Sequence, residues 1–219
     1  MSIPSDLANI KKSIPEQVTL VAVSKTKPIT DLEEAYQAGQ RVFGENKIQE
    51  MTQKWELLPK DIEWHMIGHV QRNKVKYMAS YVSLIHGVDR FRLLKEIDKQ
   101  GRKHDRVIRC LLQMHIAEED TKFGLDSNEL IEILHSEEVA QLQNIKIVGL
   151  MGMATFTDNE AQIRREFKQL KSHFDLLQKK IPEAKILSMG MSGDYKIAIE
   201  EGSTMVRIGS SIFGARNYN

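Results

Sequence analysis

LVAVSKTKPITDLEEAYQAG, residues 20–39, holds one complete structural unit. Leu20–Ser24 is a continuous apolar run of strand length, which predicts a buried β-strand. A polar, proline-containing break follows. Asp31–Ala38 then predicts a helix, and Gly39 ends it. The same order returns along the chain. Strands are predicted at Val42–Phe43, Trp64–Ile67, Leu84–His86, Val107–Met114, Ile145–Met151, Ile186–Met189 and Met205–Ile208. Helical periodicity follows them near Lys47–Leu57, Asn73–Ala79, Phe91–Gln100, Asn128–Leu134, Glu160–Lys179 and Tyr195–Glu201, and a short segment ends the chain. Strand-then-helix repetition implies a parallel sheet. Eight such units in 219 residues, about 27 each, predict a compact α/β fold of the (β/α)8 TIM-barrel type. A doubly wound open sheet is the alternative. Asp6–Ser13 predicts an extra N-terminal helix that caps the barrel or packs beside it. No low-complexity linker interrupts the chain, so a single domain over residues 1–219 is expected.

Composition narrows the function classes. The 31 basic and 30 acidic side chains leave a formal charge of +1, which gives no electrostatic push toward nucleic acid or an anionic membrane. No stretch approaches the roughly 20 apolar residues that span a bilayer. The N-terminus lacks the apolar core of a secretory signal. A cytoplasmic protein is therefore expected. Cys110, the single cysteine, sits in the apolar run RVIRCLLQM and reads as a buried small hydrophobe rather than a nucleophile.

Two features carry chemistry. At the end of the first strand, in VAVSKTKP (21–28), Val21, Val23 and Lys25 share one strand face. If that face is the barrel interior, Lys25 lies at the C-terminal mouth, where such barrels hold their active sites. A desolvated lysine has a lowered pKa and forms imines with aldehydes. Spacing alone also fits a surface lysine at a strand end, the commoner case. Lys27 shares the parity but precedes Pro28, in the loop. At the other end of the chain, SMGMSGDY (188–195) and VRIGSSIFG (206–214) place Gly and Ser where strands seven and eight meet helices. Backbone N–H groups at such junctions bind phosphate dianions, and these two loops are the usual phosphate site of the fold. Tight turns are the plainer reading of either loop alone. Asp194 is expected to cap the following helix. In a closed barrel, strand eight pairs with strand one. A lysine then faces a phosphate cradle, and an aldehyde plus a phosphate on one small ring describes pyridoxal 5′-phosphate (PLP).

At this point the residues resemble a known family. VAVSKTKP (21–28), FGENKIQE (43–50), WHMIGHVQRNK (64–74), DTKFGL (120–125), GLMGMAT (149–155) and LSMGMSGDYKIAIEEGSTMVRIGSSIFGAR (187–216) are similar, in the family's order, to the PLP homeostasis proteins. These are single PLP-binding barrels related to the N-terminal domain of alanine racemase. The resemblance implies that PLP is held as an imine on Lys25. It implies that Ser192, Gly193, Gly209 and Ser210 hold the phosphate, that Arg207 approaches the pyridine nitrogen, and that Asn46 lines the site. Met189 and Met151 either pack against the ring or belong to the core. His65 reads as a hydrogen-bonded core histidine rather than a cofactor contact. Gln71, Arg72, Asn73 and Lys74 read as a solvated helix start rather than a second anion site. Lys122 reaches the site or sits on its rim. One departure concerns strand five: the family carries an asparagine near its end, and His115 stands there in QMHIAEED, which puts an amide contact in doubt. Gly152 and Thr155 vary the loop after strand six.

An arginine on the pyridine nitrogen opposes its protonation and weakens the ring as an electron sink. Racemisation also needs a proton donor on each face. In alanine racemase the second is a tyrosine from a separate domain. The chain ends at Asn219, soon after strand eight, and Tyr195 and Tyr218 belong to no such domain. The expected protein therefore buffers PLP or delivers it to apo-enzymes, as a monomer and without robust turnover. The alternatives are a PLP-dependent amino-acid racemase or decarboxylase, and a phosphosugar-binding barrel without PLP. No metal is expected.

Overall fold

The computed structural model describes residues 2–119 and 123–215. Its strands are β1 (Thr19–Val23), β2 (Val42–Glu45), β3 (Glu63–Met66), β4 (Leu84–Val88), β5 (Ile108–Gln113), β6 (Ile145–Met151), β7 (Ile186–Ser188) and β8 (Met205–Ile208). All pair in parallel and in chain order, and β8 closes onto β1 through the register Val21↔Arg207. This is the expected (β/α)8 barrel, and the open sheet is excluded. The helices are α1 (Ile3–Ser13), α2 (Ile29–Gln37), α3 (Ile48–Leu57), α4 (Phe91–Lys103), α5 (Ser127–His135), α6 (Glu137–Ala140), α7 (Glu160–Lys180), α8 (Tyr195–Glu200) and α9 (Ser210–Phe213).

Period-2 alternation sorts the strand side chains into two apolar layers. Leu20, Ala22, Phe43, Trp64, Ile85, Leu112 and Ile208 pack outward against the helices. Val21, Leu84, Leu111, Val148, Met151 and Met205 fill the barrel interior. Cys110 is fully buried in the outer layer, and desolvation pushes its thiol up, as expected of a structural cysteine. No helix among the described residues is long and apolar enough to cross a membrane.

Two local expectations are corrected. The segment after β3 is a 3-10 helix, Arg72–Tyr77, because only Val75 of RNKVKY is buried and one apolar anchor cannot hold a longer helix down. β1 ends at Val23, so Ser24 and Lys25 already belong to the turn. The helical stretch after β5 breaks at Ser136, whose extended backbone ends α5 and whose hydroxyl accepts from Val139 N–H to start α6. The N-terminal helix packs beside the barrel, against α9 and α2. Ser13 Oγ and Tyr195 Oη lie 2.9 Å apart and tie α1 to α8.

Candidate functional site

A cavity of about 870 Å3 opens at the C-terminal ends of the strands. Lys25, Asn46, Ser192, Gly193, Arg207, Gly209 and Ser210 all line it. Met189 does not. It is fully buried in the outer layer, with its N–H donated to Met205 O, and Met191 lines the cavity two residues later. Met151 is likewise interior core, while Met153 reaches the cavity. A second cavity of about 310 Å3, between α5, α6, β6 and α7, contains none of the expected residues.

The turn carrying Lys25 is held on both sides. Thr26 adopts φ +64°, a left-handed conformation that β-branched residues rarely take. Its N–H donates to Glu50 Oε1 at 2.6 Å. On the other flank, Ser24 Oγ donates to Glu45 Oε1 at 2.6 Å, and Lys54 Nζ donates to Ser24 O at 2.7 Å. Lys54 Nζ joins the two halves through Glu45 Oε1 and Glu50 Oε1, each at 2.8 Å. Glu45 and Lys54 are almost fully enclosed. Burial pushes the Glu45 carboxyl up, against the pull of the Lys54 charge. Strained backbone of this kind persists only where its surroundings over-determine it, and it concentrates at functional sites. Sequence reasoning missed this network. Its signal was a glutamate inside an apolar strand, with a Glu–Lys pair four residues apart on the next helix. Lys27 is committed elsewhere: its Nζ donates to Phe213 O at 2.6 Å and Ala215 O at 3.2 Å, which anchors the end of α9.

Across the cavity, the loops after β7 and β8 are laced together. Ser192 Oγ accepts from Gly209 N–H at 3.3 Å. The backbone N–H groups of Ser192, Gly193, Ser210 and Ser211 donate no hydrogen bond among the described residues. A Cβ on Gly193 would meet nothing within 4 Å, so its backbone is open to a ligand, whereas one on Gly209 would press on Val23 O at 3.0 Å. Asp194 occupies the N-cap position of α8 without making the expected cap. Its Oδ1 accepts instead from Met191 N–H at 2.5 Å, bracing the loop backwards.

Arg207 forms the floor. It is 4% exposed. Its Nη1 donates to Ser188 O at 2.9 Å and Ser188 Oγ at 2.7 Å, and its Nη2 donates to Gly152 O at 3.1 Å. Nε–H has no partner among the described residues. Desolvation pulls the guanidinium down to about 10, with Asp194 acting in the opposite sense; at neutral pH it is a cation.

The remaining expected residues sort by burial. His65 faces the barrel interior and is hydrogen-bonded to His86 at 3.1 Å, which favours the core reading. Gln71, Arg72 and Asn73 are exposed and lie off the cavity. His115 does not line the cavity; its Nε2 lies 3.1 Å from Glu119 O. The amide at the end of β5 comes from Gln113, which lines the cavity and donates to Phe123 O at 2.8 Å. Phe123 stacks on His69 at the rim, 4.1 Å between centroids. Thr155 reaches the cavity with its N–H and Oγ1 both donated to Glu166. Tyr195 is turned to Ser13 and away from the cavity. Asp120–Lys122 and Tyr218 lie outside the described residues.

Burial holds His65 down to about 3. Its unfolded value is near 6.5. A depressed folded pKa means that stability is full above about 6.5 and is lost as pH falls toward 3, because only the unfolded chain takes up the proton in that window. The loss is about 1.4 kcal/mol per pH unit in this range. Urea midpoints measured from about pH 7 to 4.5 are expected to drop, and to drop less steeply in His65→Gln. An identical slope in both proteins would remove His65 as the source.

Fold and cavity together define a class: a (β/α)8 barrel with a lysine after β1 and backbone N–H groups from the β7 and β8 loops facing the same cavity. Residues 2–217 match the family model described as "Alanine racemase, N-terminal domain". The chain belongs, within that class, to the pyridoxal phosphate homeostasis protein family. It is 38% identical to the protein of that name from Pasteurella multocida, over the full length of both. It is 42% identical to the one from Aquifex aeolicus, over 91% of this chain and 87% of the relative. PipY of Synechococcus elongatus, solved with PLP bound, superposes with a TM-score of 0.89 at 35% identity, covering 97% of this chain and all of PipY. Alanine racemase from Bartonella henselae shares the fold, at 15% identity and a TM-score of 0.73, with this chain spanning 60% of it.

Proposed function

We propose that this protein binds PLP as a Schiff base on Lys25 and serves intracellular PLP homeostasis, buffering the cofactor or delivering it to apo-enzymes without robust turnover. The observation that carries this is the convergence on one cavity of Lys25, four backbone N–H groups without partners among the described residues, and a buried arginine. The residues present fit the cofactor. N–H groups from 192, 193, 210 and 211, with the Ser192 and Ser210 hydroxyls, match a phosphate dianion. Asn46 and Gln113 offer amides along the wall. PLP, when bound, supplies an aldehyde for reversible covalent attachment and a ring able to withdraw electrons. Arg207 keeps a positive charge on the cavity floor, which opposes protonation of a ring nitrogen placed there and limits that withdrawal. The relatives' shared name and the PLP-bound structure of PipY support the same reading. The racemase reading rests on fold similarity at 15% identity, and the Tyr195 hydroxyl is engaged by α1.

The test is an absorption spectrum of wild type and Lys25→Ala after incubation with PLP, desalting and borohydride. An imine band only in wild type is expected, with the cofactor mass fixed on the Lys25 peptide. A reducible band retained by Lys25→Ala sinks the assignment. Incubating the PLP-loaded protein with amino acids is expected to yield no enantiomer or amine product. Sustained turnover would sink the carrier reading.

A further inference from the structure

A polar chain crosses the otherwise apolar barrel interior. Arg207 Nη1 reaches Ser188 Oγ at 2.7 Å, Ser188 Oγ lies 3.1 Å from His86 Nδ1, and His86 Nε2 lies 3.1 Å from His65 Nδ1. The four residues come from β8, β7, β4 and β3. Ser188 and His86 are fully buried and His65 is 2% exposed. Around them lie Val21, Leu84, Leu111, Val148, Met151 and Met205. Apolar side chains would fill this space equally well, so the polar groups need a reason.

Chemistry limits the bonding directions. A guanidinium only donates. Ser188 Oγ therefore accepts from Arg207, and with a second lone pair and one hydrogen it either donates to His86 Nδ1 or accepts from it. Burial keeps both imidazoles neutral at ordinary pH. Two aligned chains fit these distances: the hydroxyl donates to His86 Nδ1 and His86 Nε2–H donates to His65 Nδ1, or His65 Nδ1–H donates to His86 Nε2 and His86 Nδ1–H donates to the hydroxyl. Both rings carry their proton on Nε2 in the first and on Nδ1 in the second, so in either case the two tautomers match.

We propose that His86 and His65 are positioning residues for Arg207: they hold the Ser188 hydroxyl in one rotamer and, through it, the guanidinium against the cavity floor, so that the barrel interior sets the charge environment of the PLP ring nitrogen. Neither histidine lines the cavity. The inference rests on the reading of Arg207 given above. It makes the aligned chain, rather than Arg207 alone, the element that tunes the cofactor.

The first measurement needs no cofactor. Long-range 1H–15N correlation spectra of the histidine rings are expected to show both in the same tautomer, with the His86 Nδ1 signal shifted in Ser188→Ala. Opposite tautomers in the two rings, or ring signals indifferent to Ser188→Ala, overturn the chain. The second uses PLP labelled with 15N in the pyridine ring. Relative to wild type, His86→Leu is expected to move that signal upfield, as a less firmly held cation lets the ring nitrogen take up a proton. His86→Gln, which can accept from Ser188 and donate to His65, is expected to restore it. Ser188→Ala carries the same measurement if His86→Leu does not fold. A signal that moves in Arg207→Gln but in none of the chain variants overturns the positioning role alone. A signal that moves in none of them, Arg207→Gln included, overturns the reading of Arg207 on which it rests.

Discussion

Lys54→Met is expected to lower the stability of the folded protein by about 3–5 kcal/mol, the usual cost of removing one partner of a buried ion pair. Among the described residues Lys54 is the only cation paired with Glu45, at 2.8 Å, and the Glu45 side chain is fully enclosed. Glu45 Oε2 already lacks a hydrogen-bond partner among those residues. Taking away the ammonium would leave a carboxylate with no compensating charge, and would also remove one donor each from Ser24 O and Glu50 Oε1. Burial raises the Glu45 carboxyl even with Lys54 in place; without it, protonation of the folded state extends to higher pH. A raised folded pKa means that stability falls as pH rises through the window above the ordinary carboxylate value. Urea denaturation should therefore show a smaller loss near about pH 5 than near about pH 8, and Glu45→Gln/Lys54→Met should regain part of it. A loss below about 1 kcal/mol at both values would mean that water reaches Glu45. The same network holds the residues on either side of Lys25, so imine formation in Lys54→Met should be slower even where the protein is folded.

Gly149→Ala is expected to cost about 3 kcal/mol, the upper end of the overpacking range. A Cβ at Gly149 would lie 1.7 Å from Ile186 O and 2.6 Å from Ile186 C. Those are backbone atoms of the paired strand, Gly149↔Ile186, and cannot rotate away. The position also follows a register shift: Cys110 pairs with Ile147 but Leu111 with Gly149, so β6 carries an extra residue there. The strand that must yield, Ile186–Ser188, leads directly into Ser192 and Gly193. Thermal unfolding should place Gly149→Ala well below wild type, while Gly193→Ala, whose Cβ meets nothing within 4 Å, should stay within about 0.5 kcal/mol. Equal stability of the two variants would contradict the close approach of β6 and β7.

Much of the barrel was legible because its strands are short apolar runs bounded by polar segments. Ile145–Met151 and Met205–Ile208 read to the residue. Lys25 and the Ser–Gly loops were legible for a related reason: chemistry at the mouth of a parallel barrel sits just after strand ends, and strand ends are marked in the hydropathy pattern. Met189 went astray because a strand end alone does not say which face a side chain takes; β7 stops at Ser188, and Met189 packs outward. The apolar run extends through Met114 and so points to His115 as the residue after β5, whereas the strand ends at Gln113, whose amide reaches the cavity.

What the sequence by itself determined was the repeating strand–helix order, the closed barrel it implies, and the residues that strand ends deliver to one mouth. What only the tertiary structure decided was the company of the buried polar groups: Glu45 with Lys54, Asp194 with Met191 N–H, and Arg207 with Ser188, His86 and His65. These partners lie up to 102 residues apart in the chain. Apolar burial follows from local periodicity, because any apolar neighbour serves; a buried polar atom needs a partner at one distance and angle, and barrel closure alone brings that partner there.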